Sequence, residues 1–235
     1  MIKVMKKIIL LFFLSIFTLG CNSSDDPASA TDDGLATAPE AKAEYDDSNF
    51  GIYKGIFVGS SGTVYVNLNN SGNISAKLVI DGMTYNFTTS ENVMEGVAIS
   101  NLTFTSGESS FEFNVSATGE EPLIENIVID GHPDSYVQIF KEYSFAQIKC
   151  YLGSFSGDDS GVFNLATTAD GYALGLVVPN GETSAIYLDG TITGTSLSGT
   201  FEGGNFSGTL NGNTISGIWQ NSVPESGTWL GTRKL

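Results

Sequence analysis

Few side chains in this chain have the type and spacing to do chemistry. The only histidine, His132, stands in Asp130-Gly131-His132-Pro133-Asp134, with Ser135 next. A serine–histidine–carboxylate relay needs a nucleophile and an orienting carboxylate brought to the imidazole. Asp130 or Asp134 has the right type to orient the ring, but Ser135 is a neighbour in sequence only, and the glycine and proline make the segment a turn. Two carboxylates suffice for glycoside hydrolysis, so a carboxylate-dependent hydrolase stays open as an alternative in a chain with 26 acidic residues. Asp158 and Asp159 are weak candidates for a cation site, since Asp158-Asp159-Ser160 lacks the acidic alternation and terminal Glu of a calcium loop. A Gly-x-Ser-x-Gly elbow, zinc-ligand spacing and a phosphate loop are all missing. The expectation is a non-catalytic protein without a cofactor.

The sharpest pattern is aromatic. A four-residue phrase recurs as Ser198-Gly199-Thr200-Phe201, Ser207-Gly208-Thr209-Leu210, Ser216-Gly217-Ile218-Trp219 and Ser226-Gly227-Thr228-Trp229. Period-two alternation puts Leu197, Gly199, Phe201, Phe206, Gly208, Leu210, Ile215, Gly217, Trp219 and Trp229 on one face, read as the inner one. Ser196, Ser198, Thr200, Ser207, Thr209, Thr214, Ser216 and Thr228 fall on the other. With Gly203-Gly204 and Asn211-Gly212 as two-residue turns, Phe201 should face Phe206 and Gly199 should face Gly208. Two roles are open for Trp219, Trp229, Phe201 and Phe206. They fill the space that the inner glycines leave, or they wall a ligand cavity inside a barrel. Either way each buried indole N–H needs an acceptor. The outer hydroxyls are ordinary solvent-side strand residues, with glycan binding as an alternative.

These faces require strands. Turn signals every nine or ten residues predict eight short strands over 51–142 and eight more over 149–232, with breaks near 190 and 203 in the second set, and no helical periodicity follows the first 20 residues. The chain also repeats itself. Tyr53-x-Gly55-x-Phe57 returns as Tyr151-x-Gly153-x-Phe155; at an offset of 99, Gly62, Gly72 and Gly82 match Gly161, Gly171 and Gly181. The expected fold class is all-β: two tandem, related, antiparallel up-and-down barrels or meanders, at 49–144 and 145–235. Before them lie a leader at 1–20 and an acidic, disordered tether at 21–48.

The leader has Lys3, Lys6 and Lys7, an apolar run from Ile8 to Phe17 too short to span a bilayer, then Thr18-Leu19-Gly20-Cys21. This order resembles the signal peptide of bacterial lipoproteins, although the usual Leu three places before the cysteine is Thr18 here. The resemblance implies cleavage before Cys21 and its lipidation, which would give the two acyl signals that stable anchoring needs. Asn22-Ser23-Ser24-Asp25-Asp26 resembles the surface-export tract of lipoproteins of the Bacteroidota. It implies an outer-membrane location at the cell surface, the periplasmic face being the alternative. In layout the chain also resembles Gly-rich barrel lipoproteins such as the transferrin-binding and factor H binding proteins, and Gly217 to Asn221 is similar to an avidin strand; no ligand-contact residues carry over from either.

Charge narrows the partners. The formal net charge is −16, and loss of the leader removes three lysines and no acid, leaving −19. Nucleic acid is excluded as a partner, because binding it relies on clustered Lys and Arg. With Cys21 acylated, Cys150 has no disulfide partner in the chain and reads as a small buried apolar residue. The expected function is membrane-anchored binding of a protein, a glycan or a small apolar ligand; a structural envelope lipoprotein without a specific ligand is the alternative.

Overall fold

Sixteen antiparallel strands, punctuated by turn glycines, hold most of the described residues. The structure, a computed structural model, describes residues 34–168 and 170–235. The leader, Cys21 and the tether as far as Asp33 lie outside the described residues. The first set of strands is β1 (Gly51–Val58), β2 (Gly62–Leu68), β3 (Ile74–Ile80), β4 (Met83–Thr88), β5 (Ile99–Ser106), β6 (Ser109–Val115), β7 (Leu123–Val128) and β8 (Tyr136–Glu142). The second is β9 (Lys149–Gly157), β10 (Gly161–Thr167), β11 (Tyr172–Pro179), β12 (Ile186–Thr193), β13 (Ser196–Phe201), β14 (Gly204–Asn211), β15 (Thr214–Asn221) and β16 (Ser226–Arg233).

The two sets share one topology. The first forms an eight-stranded sheet in the order β7-β6-β5-β4-β3-β2-β1-β8, and the second a closed barrel in the order β10-β11-β12-β13-β14-β15-β16-β9. In each, the last strand returns to pair with the first. The first sheet stays open only between β7 and β8, and its β4 and β5 are joined through a single pair, Thr88 and Thr105.

Matched residues do matched jobs. Tyr53 pairs with Lys141 as Tyr151 pairs with Arg233. A Cβ on Gly55 would run into the carbonyl oxygen of Gln138 on β8, and one on Gly153 into that of Leu230 on β16. The glycine of the repeated phrase is therefore kept where the returning strand crosses too close for any side chain. Gly62 and Gly161 likewise abut the carbonyls of Val79 and Val178.

Two local expectations are corrected. The break expected near Gly190 lies instead at Gly194-Thr195, and Gly190 sits inside β12 opposite Gly199. Asp189-Gly190 has turn composition, but here the glycine serves close packing, its Cβ position lying 2.9 Å from the Phe206 ring. The β13–β14 register also differs by two: Phe201 faces Gly204, Gly199 faces Phe206, and Gly208 faces Gly217 across β14 and β15. The turn is Glu202-Gly203, because Gly204 must lie beneath the Phe201 ring. A two-residue change preserves the side of every residue, so the inner and outer faces stand as expected.

Burial falls into three clusters. The first sheet encloses a phenyl-rich core in which Phe104 stacks on Phe111 at 5.1 Å and Phe87 leans on Phe111 at 5.0 Å. The barrel holds the second. The third is a seam between the outer faces of the two sheets, formed by Ile56, Val58, Ile148, Cys150, Ala166 and Leu176. Strand β1 is consequently buried at all eight positions. Inside the seam Lys54 Nζ meets Glu142 Oε2 at 2.8 Å and Glu40 Oε2 at 2.7 Å, with the Lys54 and Glu142 side chains fully buried. Burial pushes the Cys150 thiol up to about 12, which keeps it protonated and unreactive.

The segment from Gly34 to Ser48, expected as part of the disordered tether, has a 3-10 turn at Ala43–Tyr45, is otherwise irregular, and is held by long-range hydrogen bonds. Glu40 N donates to Glu142 Oε1, Lys42 N to Asn70 Oδ1, and Ser144 N and Oγ to the two oxygens of Asp46. Arg233 Nη2 donates to Ala36 O and Lys141 Nζ to Ser48 O, so the basic residue opposite each repeat tyrosine clasps the same segment.

Lys141 is buried without an ion pair among the described residues. Burial lowers its ammonium to about 8, against the opposing pull of Asp46, Asp47 and Glu120. A folded value below the unfolded one penalises the charged form, so the residue's contribution improves as pH rises through about 8 toward the unfolded value near 10.4. Between pH 7 and 9 the stability of wild type relative to Lys141→Met should rise by about 1 kcal/mol in urea unfolding. A difference that stays flat with pH would contradict this placement.

Candidate functional site

The barrel interior begins with glycine. Gly190 and Gly199 face each other across β12 and β13, and Gly208 and Gly217 across β14 and β15. Lacking side chains, they make beds for rings. The Phe206 ring lies over the first pair, and Trp229 Cζ2 lies 2.5 Å from the Cβ positions of both Gly208 and Gly217. Trp219 lies in the same way over Gly227. The expected filling of glycine space by indoles is thus present along the wall.

The lumen is not filled by it. A cavity of about 320 Å³ remains, walled by Phe155, Phe163, Phe201, Phe206, Trp219 and Trp229 together with Leu165, Val177, Ile186, Leu188 and Leu197. All four aromatic residues singled out from the sequence line it. The rings brace one another edge to face: Phe163 on Trp229 at 5.7 Å and 79°, Phe206 on Trp229 at 6.3 Å and 81°, Phe155 on Trp219 at 5.9 Å and 90°. Each indole N–H is tied to the wall, Trp219 Nε1 donating to Ser156 O at 3.2 Å and Trp229 Nε1 to Ile218 O at 3.0 Å. With those donors satisfied by backbone, the ring-lined wall offers an occupant an apolar surface, and the polar lining comes from Asp159, Glu202, Asn221 and Ser222.

One end of this well is closed and the other open. Tyr151 and Ile215, fully buried, and Arg233 occupy the closed end, where the guanidinium also donates to Leu235 O. Among the described residues the Tyr151 hydroxyl has no hydrogen-bond partner, whereas that of Tyr53 donates to Asn49 O at 2.7 Å. Asp159, Pro179, Glu202, Gly203, Asn221, Ser222 and Val223 line the open end, at the hairpins that follow β9, β11, β13 and β15.

The remaining candidates serve local structure. Asp158 Oδ2 accepts from Ser226 N at 2.9 Å, and Asp159 Oδ1 from Ser160 N at 2.6 Å. Among the described residues no group of three or more His, Cys, Asp or Glu side chains is placed to hold a metal ion. His132 lies in its expected turn, with its N–H bonded to Ile129 O. Its Nδ1 lies 2.6 Å from Ser60 Oγ, a partner that no local spacing could reveal, while Ser135 Oγ donates to the His132 carbonyl. Among the described residues no carboxylate forms an ion pair with the ring. The hydroxyls of the outer face are all exposed.

Pocket walls of this composition and size are the usual form of small-molecule sites. In comparison with known proteins, no family model and no curated protein matches this chain.

Proposed function

We propose that this protein is a lipid-anchored lipoprotein of a bacterial outer membrane, displayed at the cell surface, that binds a small apolar ligand in its second barrel without catalysis. The observation that carries the binding reading is the aromatic well of about 320 Å³. A dry cavity of about 150 Å³ takes one benzene ring, so this one suits a body of roughly two fused rings. Water there finds few partners, because the indole donors are already bonded to backbone, and burying apolar ligand surface is worth about 25 cal/mol per Å². The anchoring reading rests on the lysine-rich leader, its short apolar run and Cys21; among the described residues no helix is long and apolar enough to cross a membrane.

Calorimetric titration of the chain from Asn22 onward with 2-naphthalenemethanol tests the binding reading. Saturable one-site binding is expected, weakened at least tenfold by Leu188→Trp, which sets a large ring into the well while circular dichroism stays that of a β protein. Heats no larger than dilution would leave a structural envelope role ahead. For the anchor, labelling cells with radioactive palmitate should mark wild type and leave Cys21→Ala unmarked; equal labelling of the two would remove the anchoring proposal.

A further inference from the structure

The charge at the mouth of the well is one-sided. Positions 150 to 232 contain no Lys, Arg or His. Within that stretch each of the four hairpins at the open end carries a carboxylate: Asp158 and Asp159 after β9, Glu182 after β11, Glu202 after β13 and Glu225 after β15. Two of these, Asp159 and Glu202, line the cavity itself. The basic groups of this half, Lys149, Arg233 and Lys234, stand at the start of β9 and the end of β16, which is the closed end.

We infer that the well takes an organic cation, an apolar body of about two rings seated among the aromatic side chains with its ammonium held at the carboxylate rim. This rests on the binding reading above and adds the charge of the ligand to it. Two physical terms act together. A low-dielectric wall beside like charges focuses their field, so a cation is drawn to the mouth and an anion repelled. Trp219 and Phe201, which line the cavity next to the hairpins after β15 and β13, supply aromatic rings for cation–π attraction, which strengthens as the cation is desolvated. A fatty acid or other carboxylate would bring its charge against Asp159 and Glu202, and among the described residues no basic group lines the cavity to receive it.

Three probes of one shape separate the inference from the reading beneath it: 2-naphthylmethylammonium, 2-naphthalenemethanol and 2-naphthylacetate, titrated into the chain from Asn22 onward at pH 7 and low salt. The ammonium is expected to bind at least tenfold more tightly than the carboxylate, with the alcohol between them. In Asp159→Asn/Glu202→Gln that ratio should fall severalfold. If this variant does not fold, raising the salt on wild type provides the second measurement, because added salt should shrink the ratio while leaving the alcohol's affinity unchanged. Equal binding of all three, or tighter binding of the carboxylate, overturns the charge preference and leaves the cavity reading intact. Binding of none overturns both.

Discussion

Lys54→Met should destabilise the folded protein by about 3–5 kcal/mol in denaturant unfolding, the range for stranding one member of a buried ion pair. Lys54 Nζ lies between Glu142 and Glu40, and neither the lysine nor Glu142 has any access to water. Without the ammonium, Glu40 can turn to solvent, its side chain being 41 % exposed. Glu142 cannot. Its two oxygens also accept from Glu40 N and Ile148 N, so removing the carboxylate as well leaves two donors unmet. The double variant Lys54→Met/Glu142→Leu should therefore recover part of the loss and not all of it. A single variant as stable as wild type would mean that water reaches the seam.

Gly208→Val should destabilise the barrel by about 3 kcal/mol or more, the upper end of the range for overpacking. Its Cβ position runs into the carbonyl oxygen of Ser216 and lies 2.5 Å from the Trp229 ring. Neither neighbour is the loose end of a flexible chain. The carbonyl belongs to the paired strand, and the indole is held by its hydrogen bond to Ile218 O and by two edge-to-face contacts. Ser207→Val, one residue earlier on the outer face, should alter stability by no more than about 0.5 kcal/mol. Melting curves for the pair check this directly, and equal melting of Gly208→Val and Ser207→Val would place residue 208 outside the core.

What could be read in the sequence was whatever depends on period and punctuation. Glycines at turns and alternating apolar residues placed sixteen strands, their two faces and their duplication, because those features repeat along the chain. The break at Gly190 was misplaced because an inner-face glycine and a turn glycine look alike until the ring above one of them is known. The register of β13 on β14 was displaced for a related reason, since Gly203 and Gly204 are both plausible turn residues and only the Phe201 ring decides between them. The held segment from Gly34 to Ser48 has no period at all; its order comes from Lys54 on β1 and from Asn70, Lys141 and Arg233 farther along the chain. The Ser60–His132 bond is hidden in the same way.

The candidate site was legible in its wall and not in its volume. Trp219, Trp229, Phe201 and Phe206 were found by alternation, but glycines beneath rings are compatible with a plugged barrel and with a hollow one. The contrast between the halves decides between them. In the first sheet Phe104 and Phe111 stack as cross-strand partners with Phe87 beside them inside the phenyl-rich core, while in the second the rings brace along the wall and leave the lumen open.

The chain contains two tryptophans, so a nitrogen–proton correlation spectrum carries two indole signals, both from the wall of the well. Titrating isotope-labelled protein with 2-naphthalenemethanol should move both signals along one saturating curve, while the backbone amides of the first sheet stay in place. Saturation of the solution with the probe without movement of either indole signal, or movement confined to amides of the first sheet, would show that the second barrel is not a binding site.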